Sequence, residues 1–169
     1  VESPLHVTLA QGISKGDRMD FTIQKAVELG VSRIVPLATE RSVVNLKGER
    51  LQKKMAHWQG VIVSACEQCG RNTLPQLLPR HSLESWLVTA HEGIGLLLDH
   101  RAEQRISTLR MSSAVTLLIG PEGGLSEKER DSAVAAGYQG MRLGPRVLRT
   151  ETAALTALAA LQSHWGDLR

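Results

Sequence analysis

The sequence predicts an α/β fold with a mainly parallel sheet flanked by helices, and three observations carry that expectation. Residues 94–99 and 115–119 are short, continuous apolar runs, the pattern of strands covered on both faces. Segments with apolar residues at helical spacing alternate with such runs along the chain. Gly-Pro turns then join strand-like to helix-like segments in the last third of the chain. At 169 residues the whole chain, 1–169, suits one domain, which at this size buries roughly 70% of the surface its unfolded form exposes.

Taken in order, residues 6–11 read as a strand and Gly12 to Gly16 as a loop. A helix follows, with Asp17 as its cap, Phe21, Ile23, Ala26, Val27 and Leu29 as its apolar stripe and Gly30 as its stop. Residues 31–37 form a buried-type strand. A longer helix is expected over 49–69 through Leu51, Met55, Trp58, Ile62 and Ala65, closed by Pro75 and Pro79. A short helix over 83–90 precedes the first apolar strand, and a turn or helix over 105–111 precedes the second. Ser126 and Glu129 have the spacing of a capping box for a helix ending at Gly137, and 141–143 is a last short strand. The final helix, about 150–164, is rich in Ala and Leu on nearly every side, which places it in the core or in a subunit interface.

Composition narrows the classes of function only modestly. Apolar residues make up 42% and charged residues 22%, which argues against a disordered chain. The longest apolar stretch, around 153–161, is too short to span a bilayer. The opening Val1-Glu2-Ser3-Pro4 has neither a basic nor an apolar leader region, so a cytoplasmic protein cut from a longer chain is expected. Basic residues exceed acidic ones by 20 to 17, and the surplus lies in the first half, where Lys47, Arg50, Lys53, Lys54 and Arg71 either meet a polyanion or form a solvated helix face. Cys66 and Cys69 form a lone CxxC without the further ligands that a structural zinc needs; they read as packing thiols, and no metal is expected.

Two segments depart from ordinary strand and helix patterns. Gly120-Pro121-Glu122-Gly123-Gly124 follows the second apolar strand, where its glycines imply either a ligand close to the backbone or a tight turn. It matches neither GxxxxGK[ST] nor GxGxxG, which argues against a nucleotide kinase or a dinucleotide dehydrogenase. The second segment, Leu143 to Ala153, is another Gly-Pro turn feeding the last helix. Thr150 or Thr152 can cap that helix, and Glu151 suits its first turn. Arg146 and Arg149 oppose the helix dipole there, so an anionic partner is the simpler account of them.

These segments, GPEGG with Ser126 and Glu129, and LGPRVLRTETA, resemble the paired signatures of the 16S rRNA (uracil-N3)-methyltransferase family. QKAVELGV at Gln24–Val31 and ACEQCGR at Ala65–Arg71, followed by Pro75, resemble its early and middle signatures. The resemblance spans nearly the whole chain. It implies a SPOUT-type α/β fold with a C-terminal trefoil knot, S-adenosylmethionine as cofactor, and a homodimer with the pocket near its interface. It also implies small-subunit ribosomal RNA, free or within the ribosomal subunit, as partner, and an amino-terminal RNA-binding β-barrel domain that this chain does not contain.

The implied reaction methylates a uracil ring nitrogen that carries a proton, so the site needs a base or a cation that stabilises the forming anion. Arg149 is the expected cation, against an alternative role in anchoring phosphate. Glu151 or Glu122 is the expected proton acceptor, Glu122 having the alternative of capping backbone N–H groups in its turn. Cofactor contacts are expected from Gly120, Glu122, Gly123 and Gly124 in the first loop and from Leu143, Gly144, Val147, Leu148 and Thr152 in and after the second, with Leu98 at the end of the preceding strand. Lys25, Arg71 and Arg146 are the expected RNA contacts, unless Lys25 and Arg71 form surface ion pairs. The rival readings are a non-catalytic RNA-binding module, and a SPOUT enzyme acting on another RNA base or on ribose.

Overall fold

The computed structural model describes residues 2–42 and 45–169; Val1, where the opening segment begins, lies outside them. The mainly parallel sheet expected from the sequence is present. In chain order the elements are β1 (His6–Gly12), α1 (Asp17–Glu28), β2 (Arg33–Ala38), α2 (Gly48–Cys69), β3 (Gln76–Leu77), β4 (His81–Ser82), α3 (Leu83–Leu87), β5 (Ile94–Leu98), β6 (Ala114–Ile119), α4 (Glu127–Ala135), β7 (Tyr138–Met141) and α5 (Thr150–Trp165). The sheet runs β3-β2-β1-β6-β5-β7, with β4 also paired to β2, and every pairing is parallel.

Alternation along the strands divides the core into two layers. Val7, Leu9, Ile34, Leu96, Val115, Leu117 and Ile119 face α1, α2 and α5, where Ile23, Trp58, Ile62, Ala154 and Leu158 meet them. Ala10, Val35, Leu37, Leu97 and Leu118 face the other way, onto Leu83 and Trp86 of α3 and Ala133 of α4. Because successive side chains of a strand point to opposite faces, a sheet covered on both sides needs apolar residues at every position. That need is what wrote the continuous apolar runs.

Several boundaries differ from the expectations. Asp17 lies in the first turn of α1, whose N-cap is Gly16 without a side-chain bond, and Phe21 points outward at 47% exposure while Met19 takes its place in the core. The second strand begins at Arg33 rather than at residue 31. The helix expected over 83–90 stops at Leu87, and residues 105–111 hold only a 3-10 turn at Ile106–Thr108. The last strand is Tyr138–Met141, so Met141 ends it instead of opening it. Its exposed Gln139 and its glycine Gly140 gave too little apolar signal for an edge strand to stand out. α5 buries one face rather than nearly every side; Thr152, Thr156 and Ser163 face outward, and neither Thr150 nor Thr152 is its cap, which is Arg149.

Candidate active site

Three strands of the parallel sheet end together at one cleft. β5, β6 and β7 are neighbours, and the segments leaving their carboxyl ends, with the first turn of α5, enclose a cleft of about 630 Å³. This is where open α/β sheets place ligands. Leu97, Leu98, Ile119, Met141, Leu143, Val147, Leu148 and Ala153 supply its apolar walls, and Gly120 to Leu125 its backbone rim.

The loop after β6 owes its shape to both ends. Gly124 takes φ 71°, a conformation that side chains disfavour, and its N–H returns to the Pro121 carbonyl at 2.8 Å, closing the turn. Beyond it the expected capping box is present: Glu129 N–H donates to Ser126 Oγ at 3.1 Å and Ser126 N–H to Glu129 Oε1 at 3.0 Å. The other oxygen of Glu129 accepts from Glu40 N–H at 3.2 Å, tying the start of α4 to the segment after β2. Arg41, from that same segment, donates through Nη1 to the Gly123 carbonyl at 3.1 Å.

A buried polar knot of bonds joins the two loops beneath the cleft. Thr150 Oγ1 donates to the Gly120 carbonyl at 2.6 Å, and Gln11 Nε2 donates to Thr150 Oγ1 at 2.8 Å and to the Gly12 carbonyl at 3.0 Å. Gln11 is 1% exposed and Thr150 7%. The end of β1, the end of β6 and the start of α5 are thereby held in one register. Neither residue was expected at the site; a buried Gln at the end of an otherwise apolar strand was the available signal.

The residues singled out in the sequence divide into those the cleft gathers and those it does not. Leu98, Gly120, Glu122, Gly123, Gly124, Leu143, Arg146, Val147, Leu148, Arg149 and Glu151 line it. Gly144 and Thr152 do not: Gly144 is an exposed turn residue at φ 70°, and Thr152 lies on the outer face of α5. Glu122 accepts the Lys15 N–H at 2.7 Å with Arg18 Nη1 at 3.4 Å, so its carboxylate braces the loop after β1. Glu151 is different. Its Oε2 is buried and finds no hydrogen-bond partner among the described residues.

Lys25 and Arg71 lie away from the cleft. Lys25 pairs with Glu28 at 2.7 Å on the surface of α1. Arg71 is a structural cation: its side chain is 9% exposed, and its guanidinium donates to the carbonyls of Val27 at 3.0 Å and Val31 at 2.9 Å and pairs with Glu2. The guanidinium beside Glu2 holds that carboxyl below its ordinary range. In the neighbouring CxxC, Cys66 is buried and burial pushes its thiol up, while Cys69 is exposed rather than packed.

The cleft also gathers residues that the sequence did not mark. Asp99, His100 and Arg101 follow β5 directly, with Asp99 Oδ1 accepting the Arg101 N–H at 2.9 Å. Arg18, Arg41, Arg130 and Arg142 stand with Arg101, Arg146 and Arg149 around the mouth, against Asp99, Glu122 and Glu151 as the lining carboxylates among the described residues. Among the described residues neither Arg146 nor Arg149 has a carboxylate partner. Such a mouth suits a polyanion. No helix among the described residues is long and apolar enough to cross a membrane.

Fold and cleft together define a class, and comparison with known proteins agrees with it: the family model described as an RNA methyltransferase domain matches residues 1–162. Two curated relatives carry the name ribosomal RNA small subunit methyltransferase E. That of Buchnera aphidicola from Schizaphis graminum is 41% identical over 99% of this chain and 69% of its own length, and that of Bacillus subtilis is 34% identical over 99% and 70%. A solved structure of the same-named protein from Neisseria gonorrhoeae, bound to S-adenosyl methionine, superposes with a TM-score of 0.93 at 46% identity, covering 100% of this chain and 70% of that one. The chain belongs to the ribosomal RNA small subunit methyltransferase E family of RNA methyltransferases.

Proposed function

We propose that the chain transfers a methyl group from S-adenosylmethionine to ring N3 of a uridine in small-subunit ribosomal RNA. One observation carries the reading: Glu151, whose buried Oε2 has no hydrogen-bond partner among the described residues, and Arg149, which has no carboxylate partner among them, stand two residues apart at the rim of a cleft walled by apolar residues and glycine backbone. Family membership and the cofactor-bound relative support the cofactor and the RNA substrate.

The cleft fits the cofactor. Its volume lies within the roughly 300–1,000 Å³ usual for small-molecule sites. The apolar walls at Leu98, Leu143, Val147 and Leu148 suit an adenine ring, and the rim of Gly120 to Gly124 offers backbone N–H and C=O groups for its edges. When bound, S-adenosylmethionine supplies an electrophilic methyl group on a sulfonium centre.

The residues of the chain then have distinct tasks. Glu151 Oε2 accepts the proton of the uracil N3–H, which frees the ring-nitrogen lone pair. The Arg149 guanidinium offsets the negative charge that spreads onto the uracil oxygens. Arg146 and the other arginines of the mouth hold flanking phosphates. Glu122, already engaged with Lys15, fixes the loop after β1 and takes no proton. The apolar walls and the closed turn at Gly124 keep the reactants aligned.

Three further parts of the reading concern assembly. The return of the chain from edge strand β7 to the middle of the sheet, with Thr150 bonded to Gly120 and Gln11, supports a trefoil-knotted path. The outward face of α5, with half-buried Leu155 and Ala159 beside exposed Thr152 and Thr156, supports a homodimer formed through that helix next to the cleft. The matched relatives are longer than the region they share with this chain, which leaves room in them for the RNA-binding β-barrel the family resemblance implies. A ribosomal RNA substrate supports a cytoplasmic location.

Calorimetry with S-adenosylmethionine and a methylation assay on small ribosomal subunits test the function. We expect saturable cofactor binding and methylation at uracil N3. Arg149→Ala is expected to lower kcat about 10²–10³-fold, the usual loss for one preorganised donor to a developing anion, with cofactor affinity nearly unchanged. No cofactor binding at millimolar concentration, or a fully active Arg149→Ala variant, overturns the reading.

A further inference from the structure

A second hollow opens on the other side of the loop after β1. It measures about 390 Å³ and is lined by Ile13, Ser14 and Gly16 from that loop, by Leu46, and by Arg50, Lys53 and Lys54 from the first two turns of α2. Resting on the RNA methyltransferase reading above, we propose that this hollow seats a backbone phosphate of the substrate RNA, held by Arg50, Lys53 and Lys54 with the Ser14 hydroxyl.

Four observations support the assignment. The three cations are spaced i, i+3 and i+4, which puts their side chains on one face of the helix. Among the described residues no carboxylate lines the hollow and none of the three forms a salt bridge. Their charges stand at the positive end of a 22-residue helix, whose N-cap Lys47 contributes no side-chain bond. That arrangement is unfavourable by itself and is relieved by an anion.

Ser14 points independently to a ligand. It is 3% exposed, it lines the hollow, and its Oγ has no hydrogen-bond partner among the described residues. A buried hydroxyl is ordinarily satisfied, and a phosphate oxygen accepts from it directly.

The loop also explains why the phosphate belongs to the RNA substrate. Ser14 faces the hollow, while the N–H of its neighbour Lys15 is bonded to Glu122 in the cleft. The loop after β1 thus borders both sites, through Ser14 on one side and the Lys15 N–H bonded to Glu122 on the other. A strand crossing that loop sets one phosphate against α2 while its target base enters the cleft. The hollow thus measures how far the base stands from a fixed point on the backbone.

The test is fluorescence anisotropy of this chain with a twelve-nucleotide oligouridylate across a range of salt. Arg50→Gln/Lys53→Gln/Lys54→Gln is expected to bind at least about tenfold more weakly, with the slope of log affinity against log salt reduced by at least about 0.7, the value for one phosphate contact on a single strand. Ser14→Ala is expected to weaken binding without changing that slope. A control of equal charge loss, Arg105→Gln/Arg110→Gln/Lys128→Gln, removes cations that line neither site and is expected to lose far less.

Unchanged binding by the hollow variant, equal losses in the two triple variants, or no binding of oligouridylate by the unsubstituted chain overturns the proposal. So does saturable binding of inorganic phosphate that the hollow variant loses while its oligouridylate affinity is unchanged, which assigns the hollow to free phosphate. Cofactor calorimetry on the same samples separates the two readings. Failure of the unsubstituted chain to bind S-adenosylmethionine sinks the methyltransferase reading; intact cofactor binding with unaltered RNA binding sinks only the phosphate seat.

Discussion

At the scale of single residues, the polar side chains under the cleft matter as much as those at its rim. Thr150 both gives and receives a hydrogen bond, to the Gly120 carbonyl and from Gln11, within a buried setting. Thr150→Val keeps the shape and removes both bonds, leaving the Gly120 carbonyl only the long 3.4 Å contact from Gln11 and the Gln11 amide its 3.0 Å bond to the Gly12 carbonyl. We expect a loss of about 1–3 kcal/mol in urea denaturation, the usual cost of a stranded buried polar group. Cofactor affinity measured by calorimetry should fall as well, because the two loops then lose their common anchor. Residue identity alone did not separate such roles. Arg71 and Arg149 are the same amino acid, each beside a signature motif, yet one is folded into carbonyls behind α1 and the other stands at the mouth of the cleft. The difference is made by neighbours far away in sequence.

Local signals were legible where both partners lie within one element or one turn. The capping box of α4 was readable because Ser126 and Glu129 are three residues apart and bond each other's backbone. Ser126→Ala is expected to cost about 1 kcal/mol, as a lost N-cap usually does, visible as a lowered urea midpoint. The same substitution unseats the turn at Gly124, so weaker cofactor binding is expected alongside. Strand β7 begins three residues and ends two residues before the segment the sequence predicts, because an edge strand with an exposed Gln139 carries no periodic mark. Its place is decided by pairing with β5, through Leu96 to Gln139 and Leu98 to Met141. The segment Asp99 to Arg101 escaped notice for a similar reason: it becomes part of a site only because β5 lies between β6 and β7.

For the molecule as a whole, alternating apolar runs and amphipathic helices were enough to foresee the three-layer sheet. They were silent on strand order, and strand order decides which loops share a cleft. One long-range contact also makes stability depend on pH. Arg71 joins the end of α2 to Glu2 and holds that carboxyl below its ordinary range. A depressed carboxyl contributes stability that is present above its unfolded pKa and is lost as pH falls through its folded value. Acid unfolding should therefore include a component from Glu2. Glu2→Gln is expected to reduce the drop in urea midpoint on acidification while lowering the midpoint at neutral pH; an unaltered acid dependence would remove Glu2 from that account.

Gly12 ends β1 directly against Pro121: a β-carbon built on it would stand 2.6 Å from both the ring carbon Cδ and the nitrogen of that proline. The two positions are more than a hundred residues apart, yet neither is free to drift alone. Seen as a history of substitutions, any side chain at 12 requires that the backbone of the loop after β6 has moved first, because the clash includes the nitrogen of residue 121 and the Gly120 carbonyl carbon as well as the proline ring. The route by which this cleft can be altered thus has an order built into it, and the glycine is its lock.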